Sequence, residues 1–262
     1  MITLCEDLAA EHADLEALVA TLDEQVWRTP TPAPGWDIAD QISHLWFFDQ
    51  RAAQALTDPD AFLAEAATLL ATGRTTEISV EPARAMTGVA LLDHWRTDRQ
   101  RLLDAAVGVD PKARVPWYGP AMSARSCLTA RLMETWAHGV DIADALGAEL
   151  SATARLRHVA HIGVHARPFS YMLHGLEVPG DPVFVDLDGP AGEVWTWGEP
   201  GPDRVTGPAL DFCLVVTQRR NIADTALHVT GDAVQWMSIA QAFAGGPGAG
   251  RPPTGSPATG PS

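Results

Sequence analysis

Basic residues are scarce in this chain. Eighteen lysines and arginines stand against 33 acids, a formal net charge of -15 over 262 residues. Nucleic acid and anionic membrane surfaces need clustered Lys and Arg, so this balance excludes both as partners. Long apolar runs are missing too, and none approaches the roughly 18 residues that suggest a membrane span. The opening "MITLCEDLAAEHADLEALVATLDE" carries acids where a secretory signal has a basic region and an apolar block. Cysteine is rare: Cys5, Cys127 and Cys213 are odd in number and scattered. That excludes a disulfide framework and leads to the expectation of a reduced, cytoplasmic chain. No G-x-S-x-G elbow, P-loop or dinucleotide fingerprint occurs, so those hydrolase and nucleotide classes have no support. What is present, 46% hydrophobic and 19% charged residues, is the composition of a globular protein with a substantial core.

Apolar residues recur at helical spacing from residue 2 to about 27, where "TPTPAPGWD" breaks the chain. Asp37 is placed to cap a second helix through "IADQISHLWFFDQRAAQAL", and a shorter helix is expected over 60–71. The polar "TGRTTEISVEP" separates it from a long pattern over 84–106, and "VGVDPKARVPWYGPAM" reads as a loop. Ser123 can cap a helix that stops at Gly147. Four long helices with breakers between them predict an antiparallel bundle over 1–150. A connecting helix is expected over 151–176, followed by a small α+β domain over 177–245. There "DPVFVDLDG", "EVWTWGE" and "ALHVTGD" alternate as strands, "ALDFCLVVTQRR" is ambiguous between helix and strand, and "AVQWMSIAQAFAG" closes as a helix. Residues 246–262, nearly all Gly, Pro, Ser, Thr and Ala, are expected to be a disordered tail.

The chemistry concentrates in "RLMETWAHGVDIADALG", residues 131–147. Glu134, His138 and Asp141 follow one another at four and three residues and share a helical face. Such a face is either a solvated surface or half of a metal site. His44, in the core-like "ISHLWFF", is a third candidate ligand or else a core histidine bonded to a carbonyl. Two imidazoles and one carboxylate leave a fourth position open, as catalytic zinc sites do. Asp141 can orient His138 through its second nitrogen, and Asp40 stands in the same relation to His44, although Asp40 is expected to be exposed. His158, His161 and His165 also share a face, but side chains along one straight helix do not easily converge on one ion. Cys127 is expected to be a buried thiol rather than a nucleophile.

"PGWDIADQISHL" followed much later by "RLMETWAHGVDIADALG" resembles the DinB-like metal-binding bundles, in the actinobacterial mycothiol-dependent maleylpyruvate isomerase branch. The run "VPWYGPAMSARSCLTARLMETWAHGVDIADALG" looks like one uncharacterised metal-binding subgroup of it. The resemblance implies a DinB-like four-helix bundle followed by a small sterol-carrier-like α+β domain. It implies His44, Glu134 and His138 as ligands of a divalent metal, usually zinc, and mycothiol as thiol cofactor or co-substrate. It also implies an arginine that holds an acidic substrate, matched by Arg219 or Arg220 in "LVVTQRRN", with Arg219 preferred. Trp117 and Tyr118, just before the metal helix, are candidates to line a larger and more apolar pocket.

The first expectation is therefore a metal- and mycothiol-dependent isomerase or thiol transferase acting on a small electrophilic, acidic substrate, as monomer or homodimer. A metal-dependent hydrolase or lyase using bound water is the alternative on the same ligands. A non-catalytic metal-containing ligand-binding protein is a third, because a fold and its ligand set host several chemistries.

Overall fold

The computed structural model describes residues 1–255. One compact unit spans Met1–Leu150 and a second begins at Ser151.

The first unit is helical. It comprises α1 (Ile2–Val19), α2 (Ile38–Thr57), α3 (Pro59–Thr72), α4 (Thr75–Ala85), α5 (Gly88–Val107) and α6 (Ala124–Leu146). A two-stranded ribbon, β1 (Arg114–Val115) and β2 (Met122–Ser123), leads into α6. Helices α1, α6, α2 and α5 close a four-membered ring, each packing on the next, while α3 and α4 lie against α2. Leu15, Val19, Ile38, Ile42, Leu45, Leu91, Trp95 and Ile142 fill the middle of the ring, the apolar stripes that the helical spacing predicts.

Side chains cap the starts of the two helices that carry the site, α2 and α6. Asp37 accepts from the Asp40 backbone N–H at 2.8 Å and Asp40 returns the bond at 3.3 Å, a reciprocal cap on α2. Ser123 accepts from Ser126 N–H at 3.0 Å at the start of α6. Gly147, at φ 63°, ends that helix in the left-handed conformation.

Two expectations are corrected here. The polar stretch before residue 84 is itself helical, as α4, with Pro82 inside it. The single helix expected over 84–106 is broken by the extended Met86 and by Thr87, which caps α5 at Ala90 N–H. Gly88 is required at that corner, because a Cβ there would meet the Trp27 ring at 2.3 Å.

The second unit places α7 (Leu156–His165) and α8 (Arg167–Leu173) before a four-stranded sheet. The one long helix expected over 151–176 is split, since Pro168 in the first turn of α8 cannot continue α7. Strands β3 (Phe184–Asp188), β4 (Val194–Trp197), β5 (Arg204–Pro208) and β6 (His228–Thr230) lie in the order β4-β3-β5-β6. β3 runs antiparallel to β4 and parallel to β5, and β6 is antiparallel to β5. The ambiguous segment forms α9 (Ala209–Val216), which packs on α7 and the sheet, and α10 (Ala233–Ile239) packs on α8. Val185, Leu187, Trp195, Val205, Phe212 and Trp236 make its core.

The first part of the expected tail is tied down. The Gln241 amide donates to Gly246 O and accepts from Gly248 N–H, and Asp224 accepts from Thr254 N–H. Residues 256–262 lie outside the described residues. No helix among the described residues is long and apolar enough to cross a membrane.

Candidate metal centre

Helices α2 and α6 carry the candidate ligands. On α6, Glu134 and His138 are one turn apart, and His138 Nε2 lies 3.2 Å from Glu134 Oε2. His44 projects from α2 so that its ring lies 4.8 Å from that of His138, centroid to centroid. One donor atom from each of the three lies within 4.8 Å of those of the other two, and among the described residues no other group of three His, Cys, Asp or Glu converges in this way. The His158, His161 and His165 face gathers no such set. His165 instead approaches the His161 carbonyl at 2.7 Å, and Trp197 Nε1 lies 3.4 Å from His161 Nδ1.

Both imidazoles are oriented from behind. Ser79, on α4, gives its hydroxyl hydrogen to Thr76 O at 2.7 Å, so its oxygen accepts from His44 Nδ1 at 2.8 Å. Thr31 likewise donates to Trp36 O at 3.0 Å and accepts from Gln41 Nε2 at 2.8 Å, which turns the Gln41 carbonyl oxygen toward His138 Nδ1. With Nδ1 engaged on each ring, Nε2 is the nitrogen left for a metal, and on His138 it would give up the proton it shares with Glu134 when a metal binds. Ser79 and Gln41 are residues that sequence reasoning missed. Gln41 sits one turn before His44 on the same face, a legible signal, but Ser79 lies 35 residues away on a helix that was not expected.

Charge favours the same use. Burial alone would raise the Glu134 carboxyl, but the hydrogen bond and charge of His138, with Arg131 and His44, hold it down at about 2. Glu134 is therefore ionised at any ordinary pH. His138 is buried while His44 and Glu134 are partly open, so the cluster is reachable from one side. Trp36 stacks on His138 with 6.0 Å between centroids and leans on His44 at 5.0 Å, and Phe48 meets His44 at 4.7 Å. These rings wall the site with apolar surface.

Asp141 is buried on α6, one turn beyond His138. The nitrogen it was expected to orient is the one that Gln41 engages. Asp40 is 4% exposed rather than surface-lying, because it completes the cap on α2. Cys127 is buried, and desolvation pushes its thiol up to about 11. Trp117 stacks on Phe62 at 5.6 Å, and Tyr118 lines a cavity beside α2. Arg219 follows α9 in the second unit, where its guanidinium donates to Thr217 O at 2.7 Å and faces the Phe243 ring.

Residues 8–143 match the family of the mycothiol maleylpyruvate isomerase N-terminal domain. The chain belongs to that family. Uncharacterised proteins from two Mycobacterium tuberculosis strains are 48% identical to it over 249 residues, 94% of this chain and 96% of theirs. Among solved structures, a mycothiol-dependent maleylpyruvate isomerase and a mutant of it each superpose with a TM-score of 0.57 at 16% identity, covering 83% of this chain and 88% of theirs. At that identity the likeness is one of fold.

Proposed function

We propose that this family member holds a divalent metal on His44, Glu134 and His138 and acts, with mycothiol, as an isomerase or thiol transferase on a small electrophilic acid. The observation that carries the reading is the convergence of three donors of which both imidazoles are already oriented by Ser79 and Gln41. Donor atoms around a tetrahedral zinc are about 3.4 Å apart by simple geometry from bond lengths near 2.1 Å. The 3.2 Å between His138 Nε2 and Glu134 Oε2 matches that edge. Two nitrogens and one oxygen also favour zinc over magnesium or calcium, which prefer oxygen.

A bound metal with an open position supplies a place where a thiol is stabilised as thiolate, the form that adds reversibly to an activated double bond. The chain's own residues do the rest. Glu134 brings fixed negative charge to the ligand set, Ser79 and Gln41 fix the two rings, and Trp36 and Phe48 limit water. The resemblance around "LVVTQRRN" supports a role for Arg219 in holding an acidic group of the substrate.

Calorimetric titration of zinc-loaded protein with mycothiol tests the reading. Saturable binding in the wild type that is lost in His44→Ala is the expected result. Absence of binding to folded, zinc-loaded wild type would overturn the thiol role and favour metal-activated water on the same ligands.

A further inference from the structure

The three candidate ligands meet solvent unequally: His138 is buried, while His44 and Glu134 are partly open. Two further side chains share that partial exposure and touch the imidazoles directly. Trp36 lies 5.0 Å from His44 and stacks on His138 within 12° of parallel, and Phe48 meets His44 at 4.7 Å. Whatever reaches the centre from its open side meets these two rings.

Trp36 is held there by its backbone. Its carbonyl oxygen accepts from Thr31 N–H at 2.8 Å and from the Thr31 hydroxyl at 3.0 Å, and its own N–H donates to Ala33 O at 3.1 Å. Pro30 and Asp37 pair across the same turn. The indole is thus presented by a pinned loop, and Thr31 joins that loop to Gln41, the residue behind His138. An aromatic face fixed in advance loses little freedom when a ligand lies on it.

The polar groups beside the imidazoles are already engaged. Ser79 bonds Thr76 and His44, and Gln41 bonds Thr31 and His138. Glu134 adds an ionised carboxylate. What these residues leave for a bound group to lie against is aromatic carbon and negative charge. A hydroxyl or carboxylate set against the rings would lose hydration without gaining a donor, whereas a flat conjugated group gains apolar burial and ring stacking.

We infer that Trp36, with Phe48 on the same imidazole, is the specificity-determining wall of this centre, and that the group it selects beside the metal is planar and apolar: the conjugated carbons of an aryl- or alkenyl-substituted electrophile. This rests on the metal reading above. The acidic group of such a substrate is recognised apart from these rings.

The test titrates benzohydroxamate and acetohydroxamate calorimetrically into the zinc-loaded full chain. The two probes chelate a metal through the same head group and differ in phenyl against methyl. Wild type should bind benzohydroxamate about tenfold more tightly. Trp36→Ala should bring the two affinities to within about threefold of each other. It should keep its zinc affinity, because it removes no donor and leaves Ser79 and Gln41 in place. Trp36→Phe should restore most of the preference, and Phe48→Leu, which keeps apolar volume but removes a ring, should narrow it. Equal binding of the two probes by wild type, or an unchanged preference in both Trp36→Ala and Phe48→Leu, would overturn the inference and leave the metal centre standing. Loss of zinc from Trp36→Ala would overturn it too, by giving the indole a structural role. A wild type that takes up no zinc, or a zinc-loaded wild type that binds neither probe, would overturn the proposed function itself and this inference with it.

Discussion

Asp49 and Arg131 form an ion pair inside the helical bundle, with Arg131 Nε 2.9 Å from Asp49 Oδ1 and both side chains almost wholly shielded from solvent. It joins α2 to α6. Along the same antiparallel pair of helices, Gln41 meets His138 on the other side of the candidate ligands. His44 and Glu134 thus lie between two polar clasps, one holding the His138 ring and one holding the register of the helices that carry all three candidate ligands.

The ion pair makes the first prediction. Asp49 also accepts from Trp95 Nε1 at 3.0 Å, and the His12 ring lies nearby at 3.7 Å. Arg131→Met should lower stability by about 3–5 kcal/mol, because it leaves the Asp49 charge buried and uncompensated. Adding Asp49→Asn should recover part of the loss, since the amide oxygen still accepts from Trp95 without a buried charge. Urea unfolding of the two variants checks it, and equal stability of both would contradict it.

The two orienting residues make the second. Gln41→Ala and Ser79→Ala each remove the acceptor behind one imidazole, and each should weaken zinc binding by about 10–100-fold. Competition against a chromophoric chelator measures this. Unchanged affinity in both variants would mean that the rings are held by packing alone.

His12 makes the third, through pH. Burial, reinforced by Arg99 and Arg131 and opposed by Asp49, lowers this histidine from 6.5 to about 4. The unfolded chain takes up a proton near pH 6.5 while the folded chain refuses one until about pH 4. Stability therefore falls as pH drops between those values and this contribution levels off below them. The full effect is about 3 kcal/mol, of which about 2 is lost between pH 7.5 and pH 5. Unfolding curves at the two pH values should differ in wild type and differ much less in His12→Asn.

The tail makes the fourth. Gln241 is 1% exposed and spends its amide on Gly246 and Gly248, and the Asn221 amide donates to Arg251 O at 2.8 Å. Removing residues 246–262 strands these groups and should lower the melting temperature by several degrees, given about 1 kcal/mol for each bond lost. No change on truncation would show that the contacts contribute nothing.

Much of this was legible in the sequence, and the exceptions have physical reasons. Glu134 and His138 stand out because their spacing is that of one helical turn, and His44 because a histidine amid Leu45, Trp46 and Phe47 is out of place. Asp37 announces the start of α2, yet Asp40, three residues on, reads as a surface acid although that spacing is the one a reciprocal cap needs. Helix α4 was hidden because Ile78 and Val80 are its only large apolar residues and Pro82 interrupts it. Its contribution to the site, Ser79, went unseen with it, as tertiary packing rather than local pattern brings α4 against α2. The break between α7 and α8 is written in Pro168, which the helical spacing around it masked.

The most direct test of the account is the zinc affinity of the wild type beside that of His138→Ala. One zinc per wild-type chain is expected, and a loss of at least 100-fold in the variant, with the fold intact by circular dichroism. Full retention of zinc by His138→Ala would contradict it, and with it the reading of α2 and α6 as the two halves of a metal centre.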